Sequence, residues 1–328
     1  MSVVVGSWAE VPGRLRRRIA VAYAVVYLLI AVLVAYAAIA EPSFRTSQNL
    51  VNVLQQSIIL GLVAIGQAIV VLTGGIDFSV GAVVKLTVVV GAIVMNGDDG
   101  LILPAVLACL AIGVGVGLTN GLIVTRLNAA PFIVTFGMAG VLRGISLTVS
   151  TAPIGLAANS FLRIYDESTS SLPVVGRLPF SVVGAAVVWA LAWIVVARAP
   201  FGRRLYAVGG NAEVARLAGI KVPRVRVAAY VISGLLAAVA GLYALARSGI
   251  GDPQAGDGLE FDSVTAVALG GTSLYGGVGG IAGTLGGVLL LTLINNVFNL
   301  LQISSWYQGM LKGGIILLAV AVYRQKRQ

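Results

Sequence analysis

Asp77 lies in the stretch LTGGIDFSVG (72–81), between glycines and with long apolar runs on both sides. A bare carboxylate in hydrocarbon costs several kcal/mol, so it must be paired, protonated or exposed to water. The glycines permit a break in the chain, and a helix beginning near Phe78 would offer N–H groups to Asp77 as its N-cap. A hydrogen bond from a solute hydroxyl and a proton-coupling role are the alternatives.

The remaining reactive side chains exclude most enzyme chemistry. The chain has no histidine, which removes the commonest general base and metal ligand, and its one cysteine, Cys109, lies inside an apolar run. None of the four lysines follows a glycine, so no phosphate-binding P-loop is present. We therefore predict no catalytic residue, no metal site and no cofactor in this chain.

The composition indicates that lipid surrounds most of the chain. Apolar residues make up 58% of the 328 residues and charged residues 10%, with a mean hydropathy of +0.99. Apolar runs of about 20 residues, each long enough to cross a bilayer as a helix, recur along the sequence. The ten predicted spans are residues 19–40, 53–72, 79–96, 101–125, 130–150, 180–197, 227–248, 263–275, 280–298 and 306–323.

The charge distribution orients these spans. If successive spans cross the membrane in opposite directions, 15 of the 22 basic residues lie on one side of the membrane and nine of the twelve acids lie on the other. The positive-inside rule then puts both termini in the cytoplasm, and the net charge of +10 needs no nucleic-acid partner. The predicted organisation is one transmembrane domain, 1–328: a cytoplasmic N-terminus 1–18, a first half 19–150, a periplasmic loop 151–179, a second half 180–323 with a cytoplasmic loop 198–226, and a tail 324–328.

An internal repeat relates the two halves at an offset of 175 positions. Thr73, Gly74, Asp77 and Gly81 fall on Ser248, Gly249, Asp252 and Gly256, and Gly66, Asn120 and Phe132 fall on Gly241, Asn295 and Tyr307. Chance matches are frequent in a chain rich in Gly, Val and Ala. If the repeat is real, five spans per half give the halves opposite orientations, as in many transport proteins.

Four motifs together resemble the permease subunits of ribose-type ABC importers. They are LTGGIDFSVG (72–81), APFIVTFGMAGVLRG (130–144), AVGGNAEVARLAGI (207–220) and VALGGTSLYGGVGGIAGT (267–284). The spans, the repeat and the glycine-rich segments already predict an all-α membrane protein with about ten transmembrane helices in two inverted five-helix repeats, some broken or re-entrant, and the resemblance implies a place in the inner membrane. It also implies ATP-driven uptake of a monosaccharide by alternating access.

The same resemblance implies partners. These are an ATP-binding subunit that holds ATP and Mg, an extracytoplasmic sugar-binding protein, and a second copy of the permease or a close paralogue of it. A permease for nucleosides or another small polar solute, and an ion-coupled secondary transporter, are the alternatives. Lys85 departs from the family pattern, which usually has a small or apolar residue there; it could snorkel, pair internally with Asp77, or contact substrate.

The cytoplasmic loop contains a short predicted helix. Asn211 can cap it, Glu213 suits its N-terminal end, and Gly219 can close it in a left-handed conformation. From spacing alone, the helix could dock on a partner or lie along lipid headgroups. The resemblance identifies it with the family's ATPase-coupling loop. The predicted coupling residues are Gly210, Asn211, Glu213, Val214, Arg216, Leu217 and Gly219.

Residues 264–283 have too many glycines for one regular helix, and non-helical backbone at membrane depth persists only beside protein or a water-filled cavity. The residues expected at a helix break or translocation pathway are Gly74, Gly75, Asp77, Ser79, Gly81, Asn120, Phe132, Thr135, Gly270, Gly271, Thr272, Ser273 and Asn295.

The segment GDPQAGDGLEFD (251–262) carries four acids and no base. An acidic rim on the outer face could steer a basic patch of a binding protein, although a solvated loop would have the same composition. The predicted docking residues are Asp252, Asp257, Glu260 and Asp262.

Overall fold

The computed structural model describes residues 13–167, 178–304, 307, 309–310 and 313–314. This part of the chain is a bundle of α-helices with one short β-pair. The helices are α1 (Gly13–Ala40), α2 (Ser47–Leu72), α3 (Val80–Met95), α4 (Ile102–Arg126), α5 (Pro131–Val149), α6 (Asn159–Asp166), α7 (Phe180–Arg198), α8 (Pro200–Gly210), α9 (Ala212–Leu217), α10 (Val222–Ser248), α11 (Leu259–Leu269) and α12 (Ile281–Leu300).

Seven of the described helices are long and apolar enough to cross a membrane: α1, α2, α4, α5, α7, α10 and α12. The apolar helix α3 has 16 residues and α11 has 11. Strands β1 (Ile154–Leu156) and β2 (Ile250–Gly251) pair antiparallel. The chain is therefore an all-α polytopic membrane protein, as predicted.

Helix α10 lies at the centre of the bundle, where it packs on α2, α3 and α4. Small residues allow the close approach. A Cβ added at Gly117 of α4 would overlap the Tyr230 carbonyl oxygen of α10, and one at Gly66 of α2 would lie 2.8 Å from the Cα of Ser233. Close backbone packing through glycine is typical of membrane helices.

The helix boundaries follow the predicted repeat. Helices α2 and α10 start 175 residues apart, and the pairs α3/α11 and α4/α12 start and end at offsets that differ from this value by at most four residues. Both α2 and α10 end at a non-helical segment, which we name the first break (73–79) and the second break (249–258).

The structure differs from the predicted spans at several helix ends, and α2 and α10, for example, begin at Ser47 and Val222 rather than at 53 and 227. The span predicted at 263–275 ends at Leu269, because the glycine-rich turn 270–280 interrupts it. Helix α1 begins at Gly13, since the arginines after it are good helix formers. The span predicted at 306–323 lies almost wholly outside the described residues.

Helices α6 and α8 and the β-pair are not predicted from the sequence. Pro200 at the first position of α8 is a recognised helix-start signal that would have indicated this helix. The strands give no comparable local signal because β1 and β2 are held by pairing between distant segments.

Candidate functional site

The Asp77 carboxylate is closed off from solvent in the first break. Its residue is 1% exposed. Oδ1 accepts hydrogen bonds from the Ser79 N–H at 3.0 Å and the Ser79 hydroxyl at 2.6 Å, and Oδ2 accepts one from the Ser233 hydroxyl of α10 at 2.9 Å. The protein itself therefore supplies the donors that a buried carboxylate requires.

Other side chains fix the backbone of the first break. With its amide oriented to match its surroundings, Gln67 donates to the Asp77 carbonyl at 2.9 Å and accepts from the Asp77 N–H at 3.2 Å. The Thr135 hydroxyl accepts from the Phe78 N–H at 3.0 Å. Asn120 donates to the Ser79 hydroxyl at 2.9 Å, while its Oδ1 is buried and has no partner among the described residues.

These contacts correct the expected capping role of Asp77: the N-cap of α3 is Ser79, and the Asp77 carboxylate instead holds the turn before the helix. Helix α3 begins at Val80 rather than near Phe78, because Phe78 and Ser79 form a turn before it. Gly74 has a φ of +81°, which favours glycine, and a Cβ at Gly75 would lie 2.6 Å from the Tyr230 hydroxyl. The predicted pathway residue Ser79 is thus a buried part of this break, and Asn120 of α4 and Thr135 of α5 are buried residues that contact it.

Phe132 lies at the outer edge of the same region. It is 50% exposed, and its ring makes an edge contact with Phe78 at a centroid distance of 5.2 Å and stacks on Phe136 at 5.7 Å. The structure places Phe132 on the surface of the described chain.

The second break follows α3 along its length. Gly251 lies against Ala92 and Val89 near the carboxyl end of α3, and Gly256 lies against Gly81 near its amino end. The Asp252 Oδ1 accepts from the Gln254 N–H at 2.8 Å. The segment therefore descends beside α3 instead of projecting from the bundle.

A cavity of about 540 Å³ opens beside this descending segment, between α2, α3, α10, α11 and α12. Its polar lining includes Asp252, Asp257, Asp262, Arg247, Asn295 and Asn299. The Asn295 Oδ1 is buried and has no hydrogen-bond partner among the described residues. The predicted docking acids Asp252, Asp257 and Asp262 line a cavity, and the docking role remains a prediction.

Lys85 pairs with one of these acids. The lysine is 3% exposed, and its Nζ lies 2.6 Å from Oδ1 of Asp257, which is 172 positions away in sequence. The pairing of Lys85 with Asp77 that the sequence suggested is wrong, since the Asp77 carboxylate accepts hydrogen bonds from Ser79 and Ser233 instead. Glu260 packs against Gly81 on the same helix, α3.

The glycine-rich turn 270–280 contacts both the first break and α8. The Gly277 N–H donates to the Leu72 carbonyl at 3.1 Å, and the Tyr206 hydroxyl donates to the Gly279 carbonyl at 2.8 Å. A Cβ at Gly209, in the last turn of α8, would overlap the Leu72 carbonyl oxygen. Helix α8 is therefore packed directly against the end of α2, where the first break begins, and against the glycine-rich turn.

Within the turn, the predicted residues hold its shape. Gly270 ends α11, and Gly271 has a φ of +77°. The Thr272 hydroxyl accepts from the Gly280 N–H at 3.1 Å, and the Ser273 N–H donates to the Val278 carbonyl at 2.9 Å. Both polar side chains are buried, so the turn is a fixed structure.

The short helix predicted after Asn211 is confirmed as α9. The Asn211 side chain accepts from the N–H groups of Glu213 at 3.0 Å and Val214 at 3.1 Å, and Gly219 closes the far end with a φ of +82°. Gly210 ends the preceding helix α8, and a Cβ added there would meet no atom within 4 Å.

The surface of α9 combines apolar and charged groups. Val214 and Leu217 are 59% and 75% exposed. Arg216 and Glu213 form an exposed ion pair at 2.5 Å. The hydrogen bonds from Arg216 lower the pKa of Glu213, so both groups are charged at neutral pH.

Neither Gln67 nor Ser233 is predicted from the sequence as a site residue. Each is a polar residue in the interior of an apolar span, which is a usable signal. Their partner could not be identified in this way, because Ser233 lies 156 positions from Asp77.

Comparisons with known proteins agree with this architecture. Residues 49–320 match the family described as branched-chain amino acid transport system / permease component. The chain is 41% identical over 303 residues to the ribose import permease of Bacillus subtilis, covering 92% of each chain.

Two relatives from Escherichia coli K12 are also similar. The ribose import permease is 39% identical over 297 residues, which is 90% of this chain and 92% of that protein. The D-allose transport system permease is 33% identical over 303 residues, which is 92% of this chain and 91% of that protein. No solved structure gives a significant match. The extent of the family match and these identities show that the chain belongs to this family of membrane permease components.

Proposed function

We propose that this chain is the transmembrane subunit of an ABC importer for a ribose-like monosaccharide. It works by alternating access, without covalent chemistry of its own. A separate subunit binds ATP and Mg and hydrolyses the nucleotide. Both termini of the permease lie in the cytoplasm, as the positive-inside rule indicates.

The observation that carries this proposal is the position of α8 and α9. Val214 and Leu217 of α9 are exposed apolar side chains on a short, well-capped helix. The adjoining α8 contacts the last residue of α2, which leads into the first break, through Gly209, and it contacts the glycine-rich turn through Gly209 and Tyr206. A partner that grips α9 can therefore move the non-helical segments of the bundle through a short, rigid connection.

The cavity lining supports a sugar as the solute. Relatives of this chain are import permeases for ribose, D-allose and galactose. The cavity presents carboxylates and amides, which suit a ring of hydroxyl groups. A branched aliphatic side chain, which the family description would suggest, would displace water from these polar groups without replacing its hydrogen bonds, at a cost in affinity.

Two further partners complete the proposed machine. An extracytoplasmic binding protein delivers the sugar, and acids that follow the second break, such as Glu260 of α11, are part of the surface that receives it. A second copy of the permease provides the other half of the pathway. The two copies bind one ATPase subunit each through α9.

Reconstitution with the ATPase and binding protein tests the proposal. Val214→Asp places a charge on the docking face while keeping an acid near the N-terminal end of α9, where it is tolerated. We expect at least a tenfold loss of ATPase co-purification and of ATP-driven D-ribose uptake in proteoliposomes. Leu156→Asp, at an exposed leucine of β1, is the matched control and should retain both.

Two results would contradict the proposal. One is normal ATPase binding by the Val214→Asp variant. The other is sugar uptake by the permease alone, driven by an ion gradient without ATP, which would instead identify a secondary transporter.

A further inference from the structure

The two breaks carry the same set of hydrogen-bond acceptors. Asp77 and Asp252 lie 175 positions apart, and each accepts from the N–H group two residues later, at 3.0 Å from Ser79 and 2.8 Å from Gln254. Asn120 and Asn295 are related by the same offset. In both asparagines, Oδ1 is buried without a partner among the described residues.

The donors differ between the halves. In the first half, hydroxyl groups of Ser79 and Ser233 donate to the carboxylate of Asp77. In the second half, no hydroxyl within the described part of the chain donates to Asp252, and the space beside it is the cavity of about 540 Å³. Asp252 is only partly buried, but the buried Oδ1 of Asn295 lacks a donor among the described residues, so the cavity offers both residues to hydroxyl groups from outside the protein.

The cavity size fits a small molecule. Ligand pockets in proteins commonly enclose about 300–1,000 Å³ and combine apolar walls with a few convergent polar groups. Here the apolar walls include Ile59, Leu60 and Val84, and the polar groups come from the second break and from α10 and α12. A single monosaccharide and its waters match this space.

The charges restrict the class of ligand further. The carboxylates Asp252, Asp257 and Asp262 line the cavity, and the cations beside them are Arg247 and the buried Lys85, which holds Asp257. Three carboxylates against two cations leave an excess of acceptors and of negative charge. A doubly charged phosphate ester is therefore repelled, whereas a neutral polyol is not.

We propose that this cavity is the permease's own binding site for the transported solute, and that it takes an unphosphorylated monosaccharide. Hydroxyl groups of the sugar donate to Asp252 and Asn295, in the positions that serine hydroxyls occupy beside Asp77. Lys85 positions the carboxylate of Asp257 in the same site. The inference rests on the proposed function for the identity of the cargo, but binding is measurable without ATPase or binding protein.

Cysteine protection tests the site on the full-length chain in nanodiscs. Ala255, which lines the cavity, is replaced by cysteine and labelled with a water-soluble methanethiosulfonate reagent. The native Cys109 is buried and gives the background rate. Leu101→Cys, at an exposed position between α3 and α4, is the control.

We expect D-ribose to slow the labelling of Ala255→Cys and to leave Leu101→Cys unaffected. D-Ribose 5-phosphate should need at least a tenfold higher concentration for the same protection. Adding Asp252→Asn or Asn295→Ala to the Ala255→Cys variant should raise the half-protecting D-ribose concentration, about tenfold for the carboxylate and about threefold for the amide.

Three outcomes would overturn the inference: no protection by D-ribose, equal protection at Leu101→Cys, or protection by the phosphate ester at the same concentration. If these occur while the assembled complex imports D-ribose, the proposed function stands and only the binding site falls. If protection is seen but the assembled complex imports no sugar, the proposed function falls and the site remains.

Discussion

The first and second breaks share a sequence pattern and a backbone turn, yet one is sealed and the other is open. Asp77 is 1% exposed and receives three hydrogen bonds from serines, whereas Asp252 receives one from the chain and faces a cavity. The repeat therefore preserves a turn in which an aspartate accepts from the N–H group two residues later, while neighbouring side chains decide whether that turn is closed by protein or left for a ligand.

The two breaks also meet the bundle at different ends. The first leads into the amino end of α3, and the residue before it, Leu72, contacts Gly209 of α8. The second begins at the carboxyl end of α3, where Gly251 packs on Ala92. This arrangement fits halves of opposite orientation, in which one gate is closed while the equivalent gate is open.

The largest expected difference concerns the two carboxylates. Asp77→Ala leaves the Ser79 and Ser233 hydroxyls and the Ser79 N–H without an acceptor in a dry site, so it should lower unfolding stability by about 3 kcal/mol or more. Asp252→Ala, in a cavity that water can enter, should cost less than about 1 kcal/mol. Thermal unfolding in detergent compares them, and equal losses would show that the breaks are not different.

Glycine substitutions sharpen the comparison within the second break. Gly256 has a φ of +88°, and an added Cβ would lie 2.6 Å from the Gly81 carbonyl oxygen, so Gly256→Ala should cost about 2–3 kcal/mol. Gly249 has a φ of +75° but only the ends of Leu162 nearby, at 3.7 Å. Gly249→Ala should cost about 1 kcal/mol in the same assay; the reverse order would contradict the packing of the second break on α3.

Removing one partner of the Lys85–Asp257 pair should cost more stability than removing the other. Asp257→Ala leaves a cation that is 4% exposed without its partner, and should cost about 2 kcal/mol. Lys85→Met removes the buried charge and leaves a carboxylate that is 55% exposed, so it should change stability by less than about 1 kcal/mol. The double variant should unfold close to the wild type. A larger loss of stability for Lys85→Met than for Asp257→Ala would contradict this account, because it would show that the unpaired Asp257 carboxylate is the costlier group.

The smallest effect is a pH dependence outside both breaks. The Ser160 hydroxyl and N–H donate to Asp99 and lower its pKa below the ordinary 3.8. A carboxylate with a lowered pKa stabilises the fold above its ordinary pKa, and that contribution is lost as the pH falls through the lowered value. Ser160→Ala should therefore flatten the acid side of the stability profile slightly; an unchanged profile would exclude this contribution.

Local signals predicted the local structure well. The caps at Asn211 and Gly219 lie within one short segment, and α9 formed as predicted. The offset of 175 positions also predicted the matching helix boundaries, because repeated units fold alike. The closed state of the first break depends on Ser233 and Gln67, which only tertiary packing brings to Asp77.

The acids of the second break show what sequence could not predict. Their composition suggested a surface rim, but close glycine contacts with α3 carry the segment into the bundle and place Asp257 beside Lys85. That pairing joins residues 172 positions apart and leaves no periodic trace in the sequence. The cavity is a product of this long-range packing.

The central claim is that the open second break carries the solute, while the closed first break maintains the structure. The most direct test is ATP-driven D-ribose uptake by the reconstituted complex containing the Asp252→Asn, Asn295→Ala permease. We predict a KM for delivered sugar that is raised at least tenfold, with unfolding temperature and ATPase co-purification unchanged. An unchanged KM in a stable, fully assembled complex would contradict the account.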